Sequence, residues 1–421
     1  MMKLLSRGTA KLYTASDTKS DYKTMIRTLT GENKTSNLEP KIINDTLLKQ
    51  TCTTLAGAKE IHVIHDPSDI RKPHSKKTEN LGKVRDLKGN IINGYSTYNA
   101  AAIVPNEKAV HLLSHISYSN QDDRFLKRTY IAKLKKDKAF EGDDEAKELY
   151  ESGDYFNKKT ISLNEIETIG VALTDANPTA SVTHILDREF DDSQYFNLIA
   201  NDLSQSYVVR AKKSRILDEV DVNGKSIKLI DASFDNHGEK RFQKLCVAGQ
   251  CIQDGKIVIS WHKCSDYNAV KIKVYDRNDK AVFEDGMLLL TNKEITSFEG
   301  ADKIYLTYLK RAKIEYVFKF LKEGLGWEDI QIQDFKAIQK LLSICFYVAS
   351  YLYEIGEEKA YDDYAILLAE MGGGKGKVTR HFMTQGIRDL LNHYRIGKFL
   401  KDHGVSQAQQ DAMYSAFGGS L

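Results

Sequence analysis

At 421 residues and 41% hydrophobic composition the chain can bury a substantial core, and its length suggests two or three domains. Its 61 basic and 58 acidic residues leave a formal charge of only +3, so net charge gives no sign of a polyanion partner. No stretch reaches the 18 or so uncharged apolar residues of a membrane span, residues 1–23 lack the apolar run of a secretory signal, and five cysteines are an odd, sparse set for an exported disulfide scaffold, so a cytoplasmic, reduced protein is expected.

Residues 1–57 are polar, with helices expected near DYKTMIRTL and in EPKIINDTLLKQTCTTL. KEIHVIHD reads as a strand of apolar and β-branched residues that delivers Asp66, followed by Pro67 and a Ser/Asp/Arg/Lys-rich loop that cannot continue it. Strands in INGYSTYNAAAIV and AVHLLSHISYS then make an antiparallel meander. Residues 120–140 read as a basic helix, EGDDEAKELYESGD as a solvated acidic excursion and LNEIETIGVAL as a helix. ASVTHILDRE repeats the first strand's grammar and delivers Asp187; an amphipathic helix at 191–204, with Asp191 or Asp192 near its start, and the strand SYVVRAK follow.

From 212 to 300 the texture is β-rich, with strands expected in IKLIDASF, KLCVAG, KIVISWH and AVKIKVYD and with Trp261 packed in a core or stacking on a base. Cys246, Cys251, His262 and Cys264 could nominally hold zinc, but their spacing matches no common zinc signature and they read as ordinary cysteines. Helices return at 302–324 and 334–355, the second containing LLSICFYVASYLY as a buried core helix. MGGGKGKV fails a Walker A loop at Met371 and Val378, and reads as a flexible linker or a backbone turn near phosphate; two helices with apolar faces follow.

Basic residues cluster in three places: Arg71, Lys72, Lys76, Lys77, Lys83, Arg85 and Lys88; Lys127, Arg128, Lys133, Lys135, Lys136 and Lys138; and Arg210, Lys212, Lys213 and Arg215. Such runs are usually solvated surface, yet these flank both strand-end aspartates as a phosphate track would. On an ideal helix Tyr308, Arg311, Glu315 and Lys322 fall within a sector of roughly 60°, one carboxylate among two cations and a phenol. Alone that pattern is i,i+4 support, and each strand-end Asp alone is equally a turn former or helix cap. Together, Asp66, Asp187 and Glu315 make the oxygen-only set that a pair of Mg²⁺ ions needs for in-line attack on a phosphodiester.

In that order and spacing the chain resembles the DDE transposases of bacterial insertion sequences, in the branch with a Tyr-x2-Arg-x3-Glu-x6-Lys signature. IHDPSDIRKPHSKKTENLGKVRDLKGNIINGYSTYNAAAI, ILDREFD with YVVRAKKSR, MLLLT and YLKRAKIEYVFKFLKEGLGWE carry the resemblance, over residues 58 to about 355. It implies an α/β fold with a mixed sheet: an RNase H-like catalytic core interrupted by a β-rich insertion. The implied divisions are a helical DNA-binding region at 1–57, the core at 58–211 and 301–365, the insertion at 212–300 and a helical dimerisation region at 366–421.

The resemblance also implies cut-and-paste transposition, with Asp66, Asp187 and Glu315 as catalytic ligands of two Mg²⁺ ions, for which Mn²⁺ would substitute. Tyr308, Arg311, Lys322 and Arg210 would contact DNA, with Arg188, Lys212, Lys213 and Met287 beside them. Met287 stands where the best-known relatives carry a Trp that stacks on a flipped base; a thioether lacks that π-face, which tells against the hairpin route. The implied partners are double-stranded DNA, as terminal inverted repeats and target, and a second copy of the chain, in a bacterial cytoplasm beside the nucleoid. A DNA-binding repressor without catalysis and a DDE nuclease without strand joining are the alternatives.

Overall fold

The computed structural model describes residues 9–16, 18–32, 38–134, 144–220, 224, 226–247, 250–355 and 362–416. They form a mixed α/β protein dominated by one mixed sheet of eleven strands. The chain divides into two compact units, one of Asn44–Lys76 and Asn80–Val317, the other of Met1–Ile43, Lys77–Glu79 and Phe318–Leu421. No helix of the described residues is long and apolar enough to cross a membrane.

The larger unit holds the sheet. After helix α1 (Pro40–Thr54), which enters it at Asn44, come β1 (Glu60–His65), β2 (Ser68–Arg71), β3 (Gly82–Arg85), β4 (Ile91–Ile103) and β5 (His111–Tyr118). Helix α2 (Lys158–Ala176) leads to β6 (Ser181–Leu186), and helix α3 (Ser193–Asn197) to β7 (Ser206–Arg210). The five central strands lie in the order β5–β4–β1–β6–β7. β1, β6 and β7 run parallel, while β4 is antiparallel to both β1 and β5.

β1 and β6 are nearly continuous buried runs, the pattern of strands covered on both faces. α2 starts at a reciprocal cap between Asn157 and Thr160, and its Ile166, Ile169, Gly170 and Leu173 repeat at helical spacing into the core. The core continues through Tyr98, Ala100, Val182, Leu186, Val209 and Leu290.

The expected meander is present, with two strands more than the sequence suggested. The loop after Asp66 does not stay irregular: β2 pairs with β4 through Ser68↔Thr97 and Arg71↔Gly94, and β3 pairs with the opposite edge of β4. The thirteen-residue β4 is long enough to seat β1 and β2 in succession; Ile70 anchors β2, and Gly82 and Val84 are the buried residues of β3. Lys83 and Arg85 of the first basic run bond locally to Asn93 Oδ1 (2.6 Å) and the Gly89 carbonyl (3.0 Å), and Lys72 is buried.

Beyond β7 the sheet is extended by β10 (Asn236–Val247), β11 (Gln250–Lys263), β12 (Asn268–Tyr275) and β13 (Met287–Thr291), all antiparallel, β13 docking on β7. β8 (Ile216–Val220) and β9 (Ser226–Lys228) form a separate two-stranded ribbon. The strand expected through IKLIDASF stops at Lys228, where a turn closed by the Asp231 amide on the Lys228 carbonyl (2.9 Å) takes over. Trp261 is buried, as core packing requires.

The expectation of reduced, unpaired thiols is corrected at Cys246 and Cys251, which face each other across the β10–β11 ladder with Cα atoms 4.1 Å apart and form a disulfide. His262 stands at the other end of that hairpin, bonded to Asp235 Oδ2 at 3.0 Å, and Cys264 is buried, so strand geometry separates the nominal zinc set.

Two expected helices are also corrected, and the solvated acidic excursion contains a helix of its own. The segment at 191–204 is split into a 3₁₀ turn (Arg188–Phe190), α3 and a π-helical turn (Leu198–Asp202), with Asp192 capping α3. Within the described residues the basic helix starts at Arg128 rather than near 120 and is described to Leu134; Lys135, Lys136 and Lys138 lie outside the described residues. The acidic excursion contains a helix, Asp144–Ser152, that buries no residue.

In the smaller unit, helix α4 (Phe335–Ile355) buries Ile338, Leu341, Leu342, Phe346, Ala349 and Leu352, as expected for its apolar run. Helices α5 (Asp362–Met371) and α6 (Arg380–Asp402) form a hairpin joined by the glycine-rich turn, which is a packing device. A Cβ at Gly386 would lie 1.8 Å from the Leu368 carbonyl oxygen and one at Gly372 2.0 Å from that of Phe382, so only glycine lets the helices approach this closely. Gly386→Ala is expected to cost about 1–3 kcal/mol. Gly397→Ala on the same helix, with nothing within 4 Å, should instead gain up to about 1 kcal/mol of helix propensity. Thermal unfolding of the two variants checks the contrast, and equal melting temperatures would sink it.

Candidate active site

Asp66 follows β1 and Asp187 follows β6, and these neighbouring parallel strands end in register at His65↔Leu186. The two aspartates therefore leave the sheet side by side at strand carboxyl ends, with backbones about 4.8 Å apart. That is the edge where open α/β sheets bind their ligands. β4 fixes Asp66 from the other side: its amide donates to the Asn99 carbonyl (3.0 Å), and Asn99 Nδ2 donates to the Asp66 carbonyl (3.3 Å).

The chain returns from β13 through helix α7 (Phe298–Leu309), a 3₁₀ turn (Lys310–Ala312) and a further helix (Lys313–Lys319). Tyr308, buried at the end of α7, donates its hydroxyl to Asp187 Oδ1 at 3.1 Å. Arg311, on the tight turn, spans two carboxylates: Nη1 donates to Asp66 Oδ2 (2.8 Å) and Nη2 to Glu315 Oε1 (2.6 Å). Arg210, the last residue of β7, brings Nη1 to 4.0 Å from Asp187 Oδ1. The structure thus brings together Asp66, Asp187, Glu315, Tyr308, Arg311 and Arg210, three carboxylates against two guanidiniums.

Burial pushes the Asp66 carboxyl up to about 7. Arg311 opposes the rise, while the negative charges of Asp187, Glu189 and Glu315 add to it. Burial works against the Arg311 charge, yet Asp66, Tyr308, Asp187 and Glu315 hold its pKa above the ordinary arginine value. The Tyr308 phenol is raised first by burial and then by Asp187, so it stays a hydrogen-bond donor.

For a hard divalent cation the donor chemistry fits: oxygen ligands only, from a buried carboxylate whose charge is under-compensated. As placed, no three His, Cys, Asp or Glu side chains of the described residues form a metal-sized cluster, and the Arg311 guanidinium bridges Asp66 to Glu315.

Among the described residues, the other expected site residues make no hydrogen bond or ion pair with the two aspartates. Lys322 belongs to the smaller unit, in a π-helical turn (Phe320–Gly324), where it pairs with Glu328 at 3.7 Å. The uniform helix assumed for the four-residue face is interrupted by that turn and by the tight turn at Lys310–Ala312. Arg188 is exposed directly after Asp187. Lys212 is tied down, its amide on Asp191 Oδ2 (2.7 Å) and its ammonium on the Asp191 carbonyl (2.9 Å), and Lys213 pairs with Asp285. Met287 starts β13 opposite Ile272, half-buried.

Several residues not singled out from the sequence also build the site. Glu189 adds charge beside Asp66 and pairs with Lys158. It lines a cavity of about 500 Å³ together with Lys127 and Arg128 of the second basic run, Lys158, Lys159 and Tyr195. Behind the aspartates, His65 and His184 hydrogen-bond to each other at 2.7 Å and are both fully buried. Burial keeps both imidazoles neutral, pushing His184 down to about 4. The signal available was the repeated histidine before each Asp, in HVIHD and THILD, which becomes a contact only once the strands are known to be adjacent. No protein-family model matches the chain, and no characterised protein matches its sequence.

Proposed function

We propose that the protein is a DNA transposase that cuts at the ends of its own mobile element and joins the freed 3′ ends to target DNA. The carrying observation is that Asp66 and Asp187 leave two adjacent parallel strand ends side by side while Arg311 ties Asp66 to Glu315 and Tyr308 bonds Asp187. The strand order β5–β4–β1–β6–β7, with β4 antiparallel to β1, supports an RNase H-like core for the site. The strands β8 to β13, between β7 and the Glu315 helix, fit the β-rich insertion.

Mg²⁺ held by Asp66, Asp187 and Glu315 would supply positive charge to both the attacking and the leaving oxygen of an in-line displacement. The protein's own groups account for the rest. Arg311 presents a fork of donors that suits a phosphodiester as well as carboxylates. Arg210 adds a second cation beside Asp187, and Tyr308 orients the Asp187 carboxylate through its hydroxyl. Double-stranded DNA would run along the basic residues near this edge, Lys127, Arg128 and Arg188 among them. Exposed Leu390, Tyr394, Ile396 and Phe399 on α6 support pairing with a second copy, as joining two element ends requires.

The deciding experiment incubates the protein and Mg²⁺ with labelled DNA taken from the two flanks of its reading frame and a supercoiled plasmid. Label joined to the plasmid is the expected product. Cut flanks without joining would reduce the reading to a nuclease, a gel shift without cutting to a repressor, and neither binding nor cutting would overturn it.

A further inference from the structure

The buried polar groups behind Asp66 and Asp187 form a chain with a single donor order. The Gln205 amide nitrogen donates to the Gly170 carbonyl (2.9 Å) and to Thr174 Oγ1 (2.9 Å), both from α2. A carbonyl only accepts, so this contact fixes which end of the amide faces α2 and turns Gln205 Oε1 toward His184 Nε2 at 2.6 Å. Oε1 also only accepts, so His184 carries its proton on Nε2 and offers a lone pair at Nδ1. His65 Nε2–H must then donate to His184 Nδ1 (2.7 Å), and His65 Nδ1 must accept from the Tyr98 hydroxyl (2.5 Å). The two imidazoles lie edge to edge with centroids 5.0 Å apart and planes within 14°, and Tyr98, His65 and His184 are at most 1% exposed.

The chain crosses β4, β1, β6 and the approach to β7, and it does so one residue before Asp66 and three before Asp187. We propose that Tyr98, His65, His184 and Gln205 are positioning residues: their directed hydrogen-bond chain clamps β1 to β6 and fixes the relative placement of the two aspartates. A buried polar chain satisfied in one direction only favours one strand offset over its neighbours, because any slip leaves imidazole and amide groups unpaired without water. An apolar pair in the same space would fill the volume and specify nothing about the offset.

The consequence for metal affinity rests on the functional reading above; the clamp itself does not. In the wild-type full-length protein, ¹⁵N-histidine NMR is expected to show both rings as Nε2–H tautomers, and an Nδ1–H tautomer at either would overturn the donor order. Gln205→Met removes the terminal acceptor at a residue that touches neither carboxylate. It is expected to mix the tautomers, to speed amide exchange at Asp66 and Leu186 about tenfold, and to weaken Mn²⁺ binding by about tenfold or more.

Gln205→Glu retains an acceptor for His184 and, once protonated at pH 5, a donor for the Gly170 carbonyl, so it should recover most of the exchange protection at that pH, which a loss from misfolding alone would not predict. Unchanged amide exchange in Gln205→Met overturns the clamp whatever the metal does. If the wild type shows the expected tautomers and Gln205→Met the faster exchange, yet neither binds Mn²⁺, the clamp stands and the functional reading falls.

Discussion

Asp66→Asn is expected to reduce Mg²⁺-dependent strand cleavage by roughly a thousandfold or more, on the scale of removing one member of a catalytic unit, while making the metal-free protein more stable at pH 8. The two halves share one cause. Asp66 is 14% exposed, and its carboxyl is raised to about 7 by burial and by the charges of Asp187, Glu189 and Glu315, against the help of Arg311. A carboxyl whose folded pKa is raised above its unfolded value stabilises the fold fully below the unfolded pKa, near pH 4, and that contribution is lost as pH rises through 7. A shift of three units corresponds to at most about 4 kcal/mol.

Asparagine keeps the shape without the charge, so Asp66→Asn should hold an advantage of about 1–3 kcal/mol at pH 8 that shrinks by more than half at pH 5, less than the full shift because Arg311 loses a partner. Urea unfolding in EDTA at the two pH values measures it. Adding Mg²⁺ should stabilise the wild type at pH 8 more than at pH 5, and Asp66→Asn at neither. A variant with normal cleavage, or one whose stability tracks the wild type across this range, would remove Asp66 from the site.

The strands bearing the two aspartates were legible because a buried parallel strand writes itself as an unbroken apolar run, and Pro67 or a polar segment marks its end. Their adjacency was not, because a parallel neighbour lies more than a hundred residues away and no local pattern encodes the pairing. The His65–His184 contact was hidden for the same reason, although each histidine was visible in its strand. The nearness of Arg311 to Glu315 was legible from spacing, whereas its bond to Asp66 was not, because Arg311 sits on a tight turn and reaches a strand end 245 residues earlier. Lys322 was placed from uniform helical rotation, and the structure has a π-helical turn at Phe320–Gly324 that the spacing could not show. The Cys246–Cys251 bond was missed because a four-residue gap reads as a disulfide only once a hairpin register sets the two residues opposite each other.

Arg311→Gln carries the second large effect, and in the opposite direction from Asp66→Asn. The Arg311 guanidinium is 18% exposed and bonds a carboxylate that is 14% exposed, so its removal strands a desolvated charge. Breaking such a buried pair from one side costs about 3–5 kcal/mol when the stranded charge must stay ionised; Asp66, with its carboxyl raised to about 7, can take up a proton instead, which holds the loss at pH 8 to about 1–1.5 kcal/mol. Glu315, whose side chain is 58% exposed, adds little to that cost because solvent screens it.

The loss must depend on pH with a definite sign. Arg311 holds the Asp66 pKa down, so without it Asp66 titrates higher still. At pH 5 Asp66 is already protonated in both proteins and the variant should lose little. Between pH 6 and pH 8 the wild type ionises against Arg311 and the variant against nothing, so the gap should open across this interval. Arg311→Lys should fall between the two, since an ammonium keeps the charge but cannot reach two carboxylates with a planar fork. Chemical denaturation of the three proteins across that range reads the effect directly. A pH-independent loss would mean that Arg311 acts through packing alone, and no loss at pH 8 would mean that the carboxylates do not depend on it for charge.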